Sequence, residues 1–440
     1  MSDQNSVAQS NSKRTRIRNK SPEKPAATTP HAAVATEGTN PVGATPLTAP
    51  REPVPPVVGS RRSLLSIVPK FAYGTGPVAA DTERASGTRY GQATYLIQLR
   101  RAGAGTVLID PLALPDLSSL QLAIDDAEYI IHAASQDLAG LREHGLNPVK
   151  LFDTELAGRL LGYPRVALGV LTSEILGYEL AKEHSAEDWS KRPLPSSWLR
   201  YAALDVELLI ELRNALALKL EAEGKMEWAL QEFDHVLHMP LATPHPEPWR
   251  RTIGLGAIRN PRQLAIARSL WEAREALAKS RDIAPKRILS DRAIVAAAWE
   301  MPANAGRLMA IREFSDPATR RRARTWQAAI DAALALPDGE LPTSRGPGTG
   351  GPPNTREWER RKPDAAARLA DAKAILAELS EQLNIPAENI LLPDTLKRLC
   401  WEPPRQSTTA TIAAALANYQ ARPWQIDLLT TPLAKAFKRK

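Results

Sequence analysis

A single cysteine, Cys400, stands among the 440 residues, which rules out an internal disulfide and any zinc site built from several thiolates. The chain also lacks an apolar run of membrane length, and its opening residues lack the apolar core of a secretion signal. Both absences fit a reducing, aqueous compartment, so a cytoplasmic protein with no membrane partner is expected. Aromatic residues are sparse at 5%, yet a hydrophobic share of 43% is enough for real cores, and the length suggests two or three domains. Acidic residues are the scarcer charge. Lys and Arg total 57 against 49 Asp and Glu, a formal charge of +8, with a pI near 9.5. That balance favours an anionic partner, for which nucleic acid is the commonest choice, although basic tails that merely aid solubility are the plainer account. Nothing in the composition marks an oligomer, and a monomer is favoured.

Residues 1 to 57 are rich in Ser, Thr, Pro and Ala around the basic cluster Lys13 to Lys20 and read as a disordered tail. From residue 58 to 222 strand-like and helix-like runs alternate, which makes the class α/β. Pro77 to Ala80, Ala93 to Leu99 and Thr106 to Asp110 read as strands, followed by a helix near Leu117 to Ile124 and a strand at Tyr129 to Ile131. Leu168 to Leu180 has Leu171, Ile175 and Leu176 in helical register, and Ser196-Ser197 is placed to cap a helix through Leu212. Residues 223 to 256 read as a connecting helix and a Pro-rich hinge, 257 to 338 as a helical unit, 339 to 355 as a Gly/Pro linker, and 356 to 440 as a second helical unit.

Asp81-Thr82-Glu83 closes the first strand. Two residues apart on a strand, Asp81 and Glu83 share a face and can hold one cation. The tripeptide alone is weak, since Asp-x-Glu occurs again at Asp126, Asp153, Asp205 and Asp338. Asp153-Thr154-Glu155 repeats it letter for letter but opens a leucine-bearing helix, so Asp153 reads as an N-cap. Asp137 follows the strand ending at His132 and would serve as ligand, helix cap or both. Tyr201 and Asp205 stand i and i+4 on one helical face. His132 reads as a core histidine. Lys182, Trp189 and Arg192 fit packing or solvation as well as phosphate contact, and none is taken as a site residue.

In this order, Asp81 and Glu83, then His132-Ala-Ala-Ser-Gln-Asp137, then Asp188-Trp-Ser-Lys-Arg-Pro-Leu194, then Tyr201 and Asp205, the residues resemble the tyrosine-bearing DEDD exonucleases and most closely the ribonuclease D family. The resemblance spans roughly residues 60 to 440. It implies a ribonuclease H-like mixed sheet with flanking helices at residues 58 to 222, followed by two all-α modules of the HRDC type. It also implies catalytic roles for Asp81, Glu83, Asp137, Tyr201 and Asp205, with the four carboxylates holding two divalent ions. Oxygen-only ligation suits Mg²⁺ or Mn²⁺. Tyr201 is expected to orient the attacking water, because a phenol with an ordinary pKa of about 10 is a poor base at neutral pH. One departure is Arg84, where many relatives carry an apolar residue.

Asn260-Pro261 offers an N-cap and an N1 proline, and Arg281 to Asp291 carries the HRDC resemblance. Ile385 to Asp394 echoes Ile283 to Asp291, a weak internal repeat. Lys286-Arg287 and Arg320 to Arg322 are basic runs suited equally to phosphate or to solvent. The implied activity is 3′–5′ exoribonuclease action on RNA with a single-stranded 3′ end, as in tRNA and stable-RNA processing. Action on DNA, or nucleic-acid binding without catalysis, are the alternatives.

Overall fold

This computed structural model describes residues 43–181, 184, 186–240, 245–344, 346 and 351–438. The basic cluster Lys13 to Lys20, Lys182, and parts of the hinge and of the Gly/Pro linker lie outside the described residues.

Eight strands occur among these residues: β1 (Thr45–Leu47), β2 (Val57–Val58), β3 (Thr75–Arg84), β4 (Thr94–Ala102), β5 (Gly105–Ile109), β6 (Glu128–Ile131), β7 (Lys150–Asp153) and β8 (Tyr178–Leu180). Six make one mixed sheet in the order β2-β5-β4-β3-β6-β7. Within it β3 runs antiparallel to β4 and parallel to β6, so the longest strand lies inside the sheet. Helices flank the sheet, the α/β class with a ribonuclease H-like mixed sheet that the sequence led us to expect. Strand alternation then decides which side chains meet. Val78 and Ala80 enter the main core, whereas Ala79 packs on the other face with Ile130, Val206 and Leu209. Asp81 and Glu83 share the face of Ala79. They therefore point toward the helix Ser196–Glu207, which carries Val206 on the same side of the sheet.

Three local expectations are corrected. The segment 168 to 180 is not one helix: a helical stretch stops at Gly177 (φ +74°), and Tyr178–Leu180 becomes β8, paired in parallel with β1. That pairing also draws residues 43 to 57 out of the expected tail. Arg51 there donates to Glu207 at 2.7 Å and to Glu211 at 2.6 Å, and ion pairs with buried Glu207 need a folded partner to form. The long helix expected from Ser196 is two, Ser196–Glu207 and Leu209–Ala222, broken at Leu208, and the first has no side-chain cap.

The middle helices, from Pro261–Arg281 to Ala323–Ala335, enclose a core of their own around Leu264, Leu270, Ile294, Phe314 and Trp326. Asn260 caps the first of them, accepting from the Arg262 and Gln263 amides, as expected. The internal echo is geometric too. Pro261–Arg281 and Pro363–Leu383 each run 21 residues, end on a left-handed residue (Asp282, φ +49°; Asn384, φ +51°), and lead into a four-residue helix.

The last helices share the sheet's core instead of building a separate one. The helix Met226–Leu237 joins the two: Trp228 stacks on Trp424 at 4.9 Å, and Glu232 accepts from Arg422 (2.7 Å), Trp424 (2.8 Å) and Gln425 (3.2 Å). Glu232→Ala strands the buried Arg422 guanidinium without its acid, and a loss of about 3–5 kcal/mol is expected in urea unfolding. A loss below about 1 kcal/mol would show that water replaces the carboxylate there.

Candidate active site

β3 delivers the first two acids and the helix Ser196–Glu207 the third, so the site forms where strand end meets helix. Oxygen atoms of Asp81, Glu83 and Asp205 all lie within 4.8 Å of one another. Gln98, on β4 and paired in register with Asp81, donates to Glu83 at 3.5 Å. One turn before Asp205, the Tyr201 hydroxyl donates to its carboxylate.

Asp137 approaches from the other side. Its carboxylate does not cap the helix Leu138–Glu143. Instead its Oδ1 accepts from Thr82 Oγ1 at 2.5 Å and from Arg84 Nη1 at 3.3 Å. That leaves Asp137 beside the close trio and outside it, while still near enough to repel Asp81 and Asp205. Two features set its position. Gly140 lets the helix pass close to β4, since a Cβ there would collide with Thr94 Oγ1. Ala133 takes a left-handed turn (φ +58°), held because buried Asp153 accepts from the Ala133 amide at 3.2 Å and the Ala134 amide at 2.8 Å. Asp153 also caps its own helix through the Glu155 and Leu156 amides, as expected.

Sequence reasoning missed Thr82, Gln98 and the second task of Asp153 as supports of the site. A signal existed for Gln98, the one polar side chain inside Tyr95-Leu96-Ile97-Gln98-Leu99. Among the described residues set aside, Trp189 takes the packed role of its plainer reading, whereas Arg192 is held in an ion pair and is not left to solvent. Trp189 is fully buried against Trp198, and Arg192 is bound to Asp110 at 2.7 Å through two nitrogens. His132 meets Thr154 at 2.9 Å, and burial pushes its pKa down to about 4, so it is neutral.

Crowding four acids in a low-dielectric niche raises their pKa values. Burial, then Asp137 and Asp205, holds Asp81 well above the usual carboxylate range. Glu83 is raised by burial, then by Asp81, Asp205 and Asp137. Asp205 is pushed up to about 7 by burial, against the opposing Tyr201 bond, and Asp137 to about 6 by burial, against Thr82 and Arg84. Tyr201 is raised by burial and by Asp205, so it keeps its proton at neutral pH.

An all-oxygen donor set whose members repel one another fits a hard divalent cation. The sign of the linkage follows from the raised pKa values. Their contribution to stability is whole below the unfolded carboxyl pKa and is lost as pH rises through about 6 to 7. A bound cation offsets that loss. At pH 8, Mn²⁺ at a hundred times its dissociation constant is expected to stabilise the protein by about 2.7 kcal/mol. At pH 5, protons compete and most of the gain disappears. Thermal melts with Mn²⁺ and with EDTA at the two pH values check this; equal shifts at both would place the bound ion elsewhere.

Residues 60–221 match the family model of the 3′-5′ exonuclease domain, residues 263–330 that of the HRDC domain, and residues 351–437 that of a 3′ to 5′ exonuclease C-terminal domain. The chain is similar to ribonuclease D of Gluconacetobacter diazotrophicus, 32% identical over 336 residues, covering 74% of this chain and 81% of the relative. It is similar also to ribonuclease D of Acidiphilium cryptum, 30% identical over 368 residues, covering 80% and 88%. Among solved structures, a protein from Bifidobacterium adolescentis superposes with a TM-score of 0.82 at 38% identity, covering 90% of this chain and all of the other. Escherichia coli RNase D, an exoribonuclease involved in structured RNA processing, shares the fold at a TM-score of 0.63 and 24% identity, covering 87% and 98%. Among the described residues, no helix is long and apolar enough to cross a membrane.

Proposed function

Because this chain belongs to the ribonuclease D family of 3′–5′ exoribonucleases, we propose that Asp81, Glu83, Asp137, Tyr201 and Asp205 hydrolyse the terminal phosphodiester of RNA carrying a single-stranded 3′ end. What supports this most is the convergence of the Asp81, Glu83 and Asp205 oxygens within 4.8 Å, across more than 120 residues of sequence. When bound, two Mg²⁺ or Mn²⁺ ions supply the Lewis acidity that activates the attacking water and steadies charge on the leaving oxygen.

The side chains divide that task. Asp81, Glu83 and Asp205 would hold one ion, and Asp81 with Asp137 would hold the other. Tyr201, still protonated, donates to Asp205 and offers its oxygen to a water proton, which aims the water's lone pair at phosphorus. The P–O3′ bond breaks, a 5′-mononucleotide leaves, and the shortened RNA keeps a 3′-hydroxyl. Burial of the acids suits a narrow approach that admits one strand.

Catalysis falls to residues 58–222 and substrate grip to the helical modules at 257–338 and 356–440. Exposed Lys286 and Arg287 in the first module suit phosphate contact. tRNA and stable-RNA precursors are the proposed substrates, a monomer in the cytoplasm the proposed setting. A 5′-labelled stem-loop RNA with a 3′ overhang, incubated with Mn²⁺, is expected to shorten from that end and release mononucleotides, ahead of a matched DNA. Equal trimming of the DNA would reassign the substrate, and no trimming of either would leave a binding protein.

A further inference from the structure

We infer that Arg84 is a resident counter-cation for Asp137: in the RNA-free protein its guanidinium occupies the charge balance that the second divalent ion would supply, so that ion enters only with substrate. This rests on the metal-dependent reading above and specifies when its second ion arrives.

The strand gives the first reason. Along β3, Asp81 and Glu83 fall on one face and Thr82 and Arg84 on the other. The second pair both reach Asp137, and both bonds end on the same oxygen, Oδ1. A register shift between Glu83 and Arg84 marks an irregularity where the strand turns its end toward that carboxylate.

Anchorage gives the second. The Arg84 side chain is 22% exposed and that of Asp137 is 5% exposed. Arg84 Nη1 also donates to the Gln136 carbonyl, so consecutive residues of one turn hold the guanidinium. This is a fixed charge and not a surface arginine turning freely in water.

Charge gives the third. Asp81, Glu83 and Asp205 close on one point, which a single divalent ion can occupy, while Asp137 stands apart with a cation already attached. A second divalent ion at Asp137 would have to settle beside that guanidinium, in a niche where charges are weakly screened. An incoming RNA phosphate changes the balance. It offers the guanidinium a bidentate partner and leaves the Asp137 carboxylate to the ion. Arg84 acts here through Asp137 and is a positioning residue.

The test is calorimetric titration of the metal-stripped full chain with MnCl₂, for wild type, Arg84→Gln and Arg84→Lys. Without nucleotide, wild type is expected to bind one ion tightly, and Arg84→Gln to bind a second at least about tenfold more tightly than wild type does. Arg84→Lys keeps the charge and is expected to follow wild type. A measurement on wild type alone guards against a misfolded variant: adding adenosine 5′-monophosphate is expected to bring the second ion in. Two equally tight ions in nucleotide-free wild type, unchanged in Arg84→Gln, would overturn the inference and leave the metal site standing. No Mn²⁺ binding in any form would overturn both.

Discussion

Asp81→Ala is expected to slow 3′-end trimming by about a thousandfold or more, with the fold retained. Asp81 lies in the middle of the site: its oxygens are close to those of Glu83 and Asp205, and its charge is felt by all three other acids or feels theirs. Removing it takes away the carboxylate that, in the proposed mechanism, would serve both ions. The substitution should not unfold the sheet, because β3 keeps its ladders to β4 and β6 and alanine already fills the two preceding positions. Relief of repulsion even favours the metal-free state, since burial and then Asp137 and Asp205 hold the Asp81 pKa well above the usual carboxylate range. Single-turnover trimming rates beside far-UV circular dichroism decide the matter. A well-folded variant that trims within tenfold of wild type would remove Asp81 from the chemistry.

Tyr201→Phe separates two accounts of the phenol. If Tyr201 orients water, its loss is expected to lower kcat by about a hundredfold while KM and Mn²⁺ affinity barely move. The ring that remains still packs near Trp189 and His184, so structural collapse is not a competing cause. A deprotonating role predicts something different. Burial and Asp205 hold the phenol's pKa above its ordinary value, so a base of that kind would give activity climbing steeply into the alkaline range. An orienting hydroxyl predicts no such limb. A rate profile that keeps rising above pH 9 in wild type and flattens in Tyr201→Phe would reverse the assignment.

How far the sequence revealed this site depends on whether the contact that matters is local. Tyr201 and Asp205 were legible because i, i+4 spacing on a helix fixes their adjacency, and Asp81 and Glu83 because strand alternation fixes theirs. Asp153-Thr154-Glu155, identical in letters, was separable by the leucines after it, and it does cap a helix. Its hold on the Ala133 turn was hidden, since nothing along the chain links residue 153 to 133 except the pairing of β6 with β7. β8 was hidden for the same reason. Leu171, Ile175 and Leu176 fit a helical period, and only the distant partner Thr45–Leu47 turns the following residues into a strand. Asp137 was found by its neighbours in sequence, while Thr82 and Arg84, which aim it, are visible only once strand and helix are side by side.

The Glu232 cluster carries a consequence for how the molecule comes into being. Glu232 and Arg422 are 190 positions apart, and Asn384 reaches the Leu161 carbonyl over 223. Closing such spans is entropically slow, and no local helix can shorten the wait. During synthesis the sheet emerges first, then the separately cored middle helices, and only afterwards the segment bearing Trp424. The segment bearing Trp424 must therefore leave the ribosome before the catalytic layer receives its final cover, and a chain halted before it is left without the stack and ion pair that seal it.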